Sequence, residues 1–188
     1  MKRILGWSYM FAIIVIFCAC ASVAPVSQQL TGVLDLKGHP ISLEHQGVYS
    51  KEGRVKLVNI ETRTEKDFLI GDPGQRYSLY TIYKDLTDMV IEYIAEELEK
   101  RDVRIDDNSN REIHVALERI KFVPGRGRFV MYGFATLKID IPETGYSGTY
   151  ETKAGSGWTA FAAMNSAIIY AVLEFLKDPE VTNYLQSQ

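Results

Sequence analysis

Beyond residue 20 this chain contains no cysteine, because its two, Cys18 and Cys20, both sit near the amino terminus. A domain starting after them holds no disulfide, even in an oxidising compartment, and no thiol nucleophile. Histidine is almost as scarce: His39, His45 and His114 are the whole supply, and none sits in a zinc spacing such as H-E-x-x-H. Charge of one sign is also missing as a block. The formal charge is −3, both signs are scattered, and no basic concentration points to nucleic acid or an anionic lipid surface. There is no low-complexity tract and no repeat of fixed period.

Other catalytic signatures fail in the same way. Gly125-Arg126-Gly127 and Gly155-Ser156-Gly157 lack a P-loop lysine or a dinucleotide fingerprint and read as turns. Ser156 and Ser166 lack the context of a nucleophile elbow. Asp106 to Asn110 carries carboxylates without the glycine and terminal glutamate of a calcium loop. Carboxylates are plentiful, but no spacing singles out a glycosidase pair. The expectation is a non-enzymatic domain with no metal and no cofactor.

What is present is an address. Lys2 and Arg3 make a positive start, Met10 to Phe17 is an apolar run, and Cys18-Ala19-Cys20-Ala21-Ser22 closes it. This is the layout of a bacterial secretory signal, too short for a stable transmembrane span. Cys20 directly after a small residue resembles a lipobox, which implies acylation of Cys20 and removal of residues 1–19. Phe17 and Cys18 depart from that pattern. The competing reading takes Ala19-Cys20-Ala21 as an ordinary A-x-A site, with a soluble periplasmic product cleaved after Ala21. Without an aspartate after Cys20, the enteric sorting rule sends a lipoprotein to the outer membrane, facing the periplasm. Loss of Lys2 and Arg3 takes the formal charge from −3 to −5. Residues 20–31 read as a lipidated tether and 32–188 as one domain.

Periodicity gives the elements. Val33–Leu36 reads as a short strand and Arg54–Ile60 as an interior strand, while residues 41–53 have no clear pattern. Residues 61–74 read as a loop ending in the turn Ile70-Gly71-Asp72-Pro73-Gly74. A helix is predicted from about Leu79 to Lys100, with Ile82, Leu86, Met89, Val90, Tyr93, Ile94 and Leu98 on one stripe. Its acidic side reads as a solvated face. Val103–Ile105 is a short strand. Ile113, Val115 and Leu117 alternate, and the pattern slips at Glu118-Arg119, which predicts a bulge. After a hairpin loop at residues 124–127, Phe129 to Ile141 alternates as the longest strand, and Tyr146–Lys153 follows as its neighbour. A second helix over about Thr159–Leu176 is so broadly apolar that it needs more than a sheet to cover it. Asp178-Pro179 caps a last short turn of helix. The sum is an α+β two-layer sandwich: an antiparallel or mixed sheet of about four to five strands with two long helices on one face.

Phe134–Ile141, Tyr150–Gly157 and Ala162–Ala167 through Asp178-Pro179-Glu180-Val181 resemble the YajG-like family of uncharacterised bacterial lipoproteins. So do Val58–Arg63 with Ile70-Gly71, and Glu97–Val103. The resemblance spans about residues 55–185 and leaves 32–53 unmatched. It implies an envelope lipoprotein, held to the membrane by its lipid, with a protein partner in the cell envelope and no nucleic acid. A homo-oligomer stays open.

The candidate partner surface is the second face of the long strand, bearing Val130, Tyr132 and Phe134, with Tyr146, Tyr150 and Trp158 nearby in sequence. The plainer explanation is that these side chains are cross-strand pairs, or are covered by the amino-terminal segment. An alternative function is a lipid or peptidoglycan-fragment carrier, which requires an apolar cavity between helices and sheet.

Cys20→Ser is expected to abolish metabolic lipid labelling and leave unprocessed precursor, while Cys18→Ser changes neither. Normal anchoring of the Cys20 variant overturns the lipobox reading.

Overall fold

The computed structural model describes residues 26–36, 53–70, 77–125, 130–157 and 159–187. In chain order these form β1 (Val26–Gln29), a 3-10 turn (Leu30–Gly32), β2 (Arg54–Asn59), β3 (Asp67–Ile70), β4 (Tyr77–Thr81) and α1 (Tyr83–Glu99). There follow β5 (Arg104–Ile105), β6 (Glu112–Pro124), β7 (Met131–Ile141), β8 (Tyr146–Ser156), α2 (Ala160–Lys177) and α3 (Pro179–Gln186). The class is α+β with two mixed sheets, one in the order β1-β4-β3 and a larger one in the order β5-β2-β6-β7-β8.

The larger sheet is built on β7, whose side chains alternate strictly. Gly133, Ala135, Leu137, Ile139 and Ile141 are buried, while Tyr132, Phe134, Thr136, Lys138 and Asp140 are half-buried on the other face. Neighbours directly opposite share a face, so the antiparallel registers carry this division to β6 and β8. The slip predicted at Glu118-Arg119 is a bulge: the register of β6 on β7 shifts between Leu117 and Arg119. On the other side of β6, β2 runs parallel, pairing Lys56–Asn59 with Glu112–Val115.

Both long helices lie on the buried face, α1 over β2, β5 and β6, and α2 over β7 and β8. Val55, Ile113, Val115, Leu117, Leu137 and Ile139 from the sheet meet Leu86, Val90, Ile94 and Leu98 of α1, and Met164, Ile168, Val172 and Phe175 of α2, in one core. Helix α1 closes in a Schellman-type turn, with Val103 N–H on the Leu98 carbonyl, Asp102 N–H on the Glu99 carbonyl, and Asp102 at φ 65°. Thr159 Oγ1 accepts from Ala162 N–H to cap α2, and Asp178 accepts from Glu180 N–H to cap α3, where Pro179 takes the first turn.

Four expectations change. Residues 26–31, read as the end of the tether, form β1 and most of a 3-10 turn that puts Leu30 fully into the core. Val33–Leu36 is not a strand. The loop reading of 61–74 misses β3, and its turn at 71–74 lies outside the described residues. The first turn of the predicted helix is instead β4, because Leu79 fits both a helical stripe with Ile82 and Leu86 and an alternating strand. The breadth of α2 is met by more than the sheet: α3 packs on it, and Asn165 Nδ2 donates to the Asp35 carbonyl at 2.8 Å.

Ile94 and Ile168 are fully buried on the two helix stripes. Ile94→Asp or Ile168→Asp is expected to unfold the domain at 37 °C, since an unpaired buried carboxylate costs several kcal/mol. Exposed Glu99→Ala should stay within about 0.5 kcal/mol of wild type. Thermal denaturation followed by circular dichroism tests both, and an unchanged melting curve for the Ile94 variant contradicts the placement of α1.

Candidate functional site

Among the described residues no helix packs on the face of the larger sheet that turns away from α1 and α2, the open face. Its two ends differ in chemistry. At one end ionic side chains neutralise each other: Lys56 Nζ and His114 Nε2 both lie 2.9 Å from the Glu112 carboxylate, and Lys138 Nζ lies 3.2 Å from Asp140. Ser147 donates to the same Asp140 at 2.5 Å. The salt bridge and hydrogen bonds from His114 and Lys56 lower the Glu112 carboxyl below its ordinary value.

The other end, near the β6–β7 hairpin, is aromatic and basic. Tyr132 sits opposite Val123 on β6 and Gly155 on β8, and Phe134 sits between Lys121 and Lys153. Lys153 Nζ lies 4.1 Å from the Tyr132 ring centre and 5.6 Å from that of Phe134, and Lys121 Nζ lies 4.8 Å from the Phe134 ring. These are cation–π contacts at a half-exposed surface, worth about 0.5–1 kcal/mol each. Val130 is half-buried at the same end, and Val123 is exposed.

The six residues proposed from sequence therefore do not form one patch. Val130, Tyr132 and Phe134 share the open end. Tyr146 and Tyr150 belong to the opposite, helix-facing side, because they pair with the core residues Ile141 and Leu137. Tyr150 meets Phe175 edge-on at 6.1 Å, and both tyrosine hydroxyls bond the Asp178 carboxylate, at 2.7 Å from Tyr146 and 3.1 Å from Tyr150. They tie β8 to the α2–α3 junction. Burial works to raise the Asp178 carboxyl, but donation by Tyr146, the Glu180 amide and Tyr150 leaves it lowered. Trp158 and Cys20 lie outside the described residues. The two lysines over the aromatic rings went unnoticed in the sequence, although their parity with Phe134 across the hairpin was a usable signal.

A second cluster, also missed, closes the β6 bulge. Past the end of β2, β6 has no described strand on the side away from β7, and side chains take over the backbone groups that face that way. Thr87 Oγ1 accepts from Leu117 N–H at 3.1 Å, and the Tyr83 hydroxyl accepts from Ile120 N–H at 3.3 Å. Arg63 donates to the Leu117 and Glu118 carbonyls at 3.3 and 2.9 Å, and its guanidinium stacks 3.8 Å over Tyr83. Glu61, with its side chain 7 % exposed, holds that guanidinium through both carboxylate oxygens, at 2.8 and 2.5 Å. Beside it lies a cavity of about 500 Å³ lined by Thr62, Arg63, Thr64, Glu65, Lys66, Asp67 and Tyr83. It opens at the surface, its lining residues are polar or charged apart from the Tyr83 ring, and its wall is shared about equally between polar atoms and the apolar parts of those side chains. Among the described residues there is no group of three or more His, Cys, Asp or Glu side chains placed to hold a metal.

No protein-family model matches the chain, and no curated protein matches it. Among solved structures it is similar to the PelC dodecamer from Paraburkholderia phytofirmans, at TM-score 0.35 and 14 % identity over 76 % of this chain and 93 % of that one. A leucine-to-methionine variant of the same dodecamer gives TM-score 0.36 and 16 % identity over 76 % and 92 %.

The Arg63 hydrogen bond is the leading cause that lowers the Glu61 carboxyl from its ordinary value, against the raising effect of burial. A carboxylate with a depressed folded-state pKa stabilises the fold above its unfolded pKa and loses that contribution as pH falls through the folded one. Glu61→Gln is expected to cost about 1–3 kcal/mol at pH 7 and to flatten the decline in stability below pH 4.5. Urea unfolding at a series of pH values measures this, and parallel wild-type and variant curves contradict it.

Proposed function

We propose that this chain is an envelope lipoprotein whose folded domain is a non-catalytic binding and assembly module. In this reading Cys20 carries the lipid, the domain faces the periplasm from the outer membrane, and the hairpin end of the open sheet face docks a protein subunit of an envelope complex. The address rests on the signal layout of residues 1–22 and on the resemblance to YajG-like lipoproteins. The docking role rests on one observation: Val123, Val130, Tyr132 and Phe134 form an apolar and aromatic cluster on a face where no helix packs among the described residues. Aromatic side chains are enriched in interface cores and commonly serve as their anchors.

The alternative, a carrier for a lipid or a peptidoglycan fragment, draws less support. Such a carrier stores its ligand between helices and sheet, where here Leu137, Ile139, Ile94, Ile168 and Phe175 fill one contiguous core. The cavity of about 500 Å³ lies elsewhere, opens at the surface and is lined by Thr62, Arg63, Thr64, Glu65, Lys66, Asp67 and Tyr83, with no aliphatic side chain among them for a long acyl chain to lie against.

Tyr132→Ala combined with Phe134→Ala is expected to leave the domain folded and to weaken partner retention roughly thirty-fold, because truncating aromatic anchors commonly costs 2 kcal/mol or more. Affinity purification from detergent-solubilised envelopes, compared with the wild type by quantitative mass spectrometry, reads the loss. A folded double variant that retains every wild-type partner removes this face from the proposal. A large fall in melting temperature assigns the two rings to the core instead.

A further inference from the structure

The outer strand β8 ends the larger sheet on its long side. It pairs along Tyr146–Ser156 with β7, and among the described residues no strand lies on its other flank. Every second residue therefore turns its backbone N–H and C=O outward, a template that another strand can complete. Proteins usually blunt such an edge with a proline, a bulge, a very short strand or charged side chains. The opposite end of this sheet follows that rule, since β5 is only Arg104–Ile105. β8 has none of the backbone devices: it contains no proline, and its register on β7 runs without a shift from Tyr146 to Ser156, while its exposed charges, Glu151 and Lys153, are of opposite sign and so can pair as well as repel.

We propose that β8 pairs with β8 of a second copy of this chain, antiparallel about a two-fold axis at Thr152, so that the two larger sheets become one. Charge favours this register over the axes at its two neighbours, and it is the one that pairs Glu151 with Lys153. Glu151 and Lys153 are both exposed on the open face. With the axis at Thr152, Glu151 of each copy faces Lys153 of the other, and once the Lys153 ammonium turns from the Tyr132 ring to the edge this gives two reciprocal ion pairs in the arrangement that stabilises antiparallel neighbours. Moving the axis to Glu151 sets two carboxylates directly opposite, and moving it to Lys153 sets two ammonium groups opposite. On the helix side the same register faces Tyr150 with Ala154 and Thr152 with its own copy, a pairing of large against small.

Helix spacing agrees. α2 lies over β7 and β8. Neighbouring strands are about 4.8 Å apart, so the axes of the two α2 helices come to lie about 10 Å apart, a packing distance for helices. α2 also carries Tyr170, which is 49 % exposed and, with Val123, one of two large apolar side chains exposed among the described residues. The inference stands on the sheet edge alone and does not depend on a partner at the open face.

Sedimentation equilibrium of the full chain in density-matched detergent tests it. The wild type should dimerise, and Lys153→Glu or Glu151→Lys should each raise the dimer Kd by about tenfold or more, through two like-charge pairs. The double swap, Glu151→Lys with Lys153→Glu, should restore wild-type affinity. Lys121→Glu, which alters the aromatic end of the open face but not the edge, should leave the Kd unchanged. A second readout is independent of stability: a Glu151→Cys chain mixed with a Lys153→Cys chain should form the mixed disulfide in preference to either homodimer. A monomeric wild type overturns the proposal, and so do single variants without effect, a double swap that stays weak, or sensitivity to Lys121→Glu.

Discussion

The two layers are held at their separation by a close approach between α2 and β7. Gly133 lies on the buried face of β7 directly beneath the start of α2, where a Cβ would collide with the Ala163 carbonyl and the Met164 amide. The helix backbone thus rests on the strand backbone, with no side chain between them. Ala135, Ala163 and Ala167 continue the theme, all buried and all small, and Thr152 uses the proximity to donate to the Ala167 carbonyl at 2.6 Å. Everything that depends on the tilt of α2 inherits this constraint: the seating of Phe175 on Tyr150, and the position of Asp178 where both β8 tyrosines reach it. Bulkier residues at these positions would lift α2 and empty the contacts further along, at the cavity costs typical of cores.

A second constraint acts where β6 outlasts β2. A strand with one side unpaired leaves backbone groups that must find partners when buried. Here the bulge presents them to α1 and to the loop after β2, so Thr87, Tyr83 and Arg63 act as a substitute strand made of side chains. Arg63 can serve because Glu61 fixes its plane and Tyr83 lies flat beneath it. The cluster is therefore structural in its first duty, and its position beside the cavity at residues 62–67 follows from the loop that has to leave β2 at that point.

How much of this was legible depends on whether the pattern was local. The β6–β7–β8 meander, the bulge at Glu118 and both caps around Thr159 and Asp178 arise from neighbouring residues, and the sequence displays them directly. β1 does not: Val26-Ser27-Gln28-Gln29 has no periodicity, and it is a strand only because it runs parallel to Tyr77–Tyr80, far along the chain. β4 was hidden by a coincidence of spacing at Leu79. The candidate surface failed for a similar reason. Period two placed Tyr146 and Tyr150 on one face of β8 correctly, but which face depends on register across the 142–145 turn. One residue of register moves every side chain to the other side.

That register explains why the two ends of the open face are not equivalent. The end holding Lys56, Glu112, His114, Lys138 and Asp140 is already closed upon itself by charge-assisted hydrogen bonds at 2.9–3.2 Å. A partner docking over this end has to take already paired charges out of water, while the half-exposed pairs contribute only about 0–1 kcal/mol each. At the hairpin end, Lys121 and Lys153 lie against ring faces, and a half-exposed cation–π contact contributes only about 0.5–1 kcal/mol. The lysine stems shield apolar surface in the free domain, and the ammonium groups can swing aside while keeping their hydration. The rings they cover can then be offered to a partner at little cost to the fold, whereas the ionic end stays committed to it.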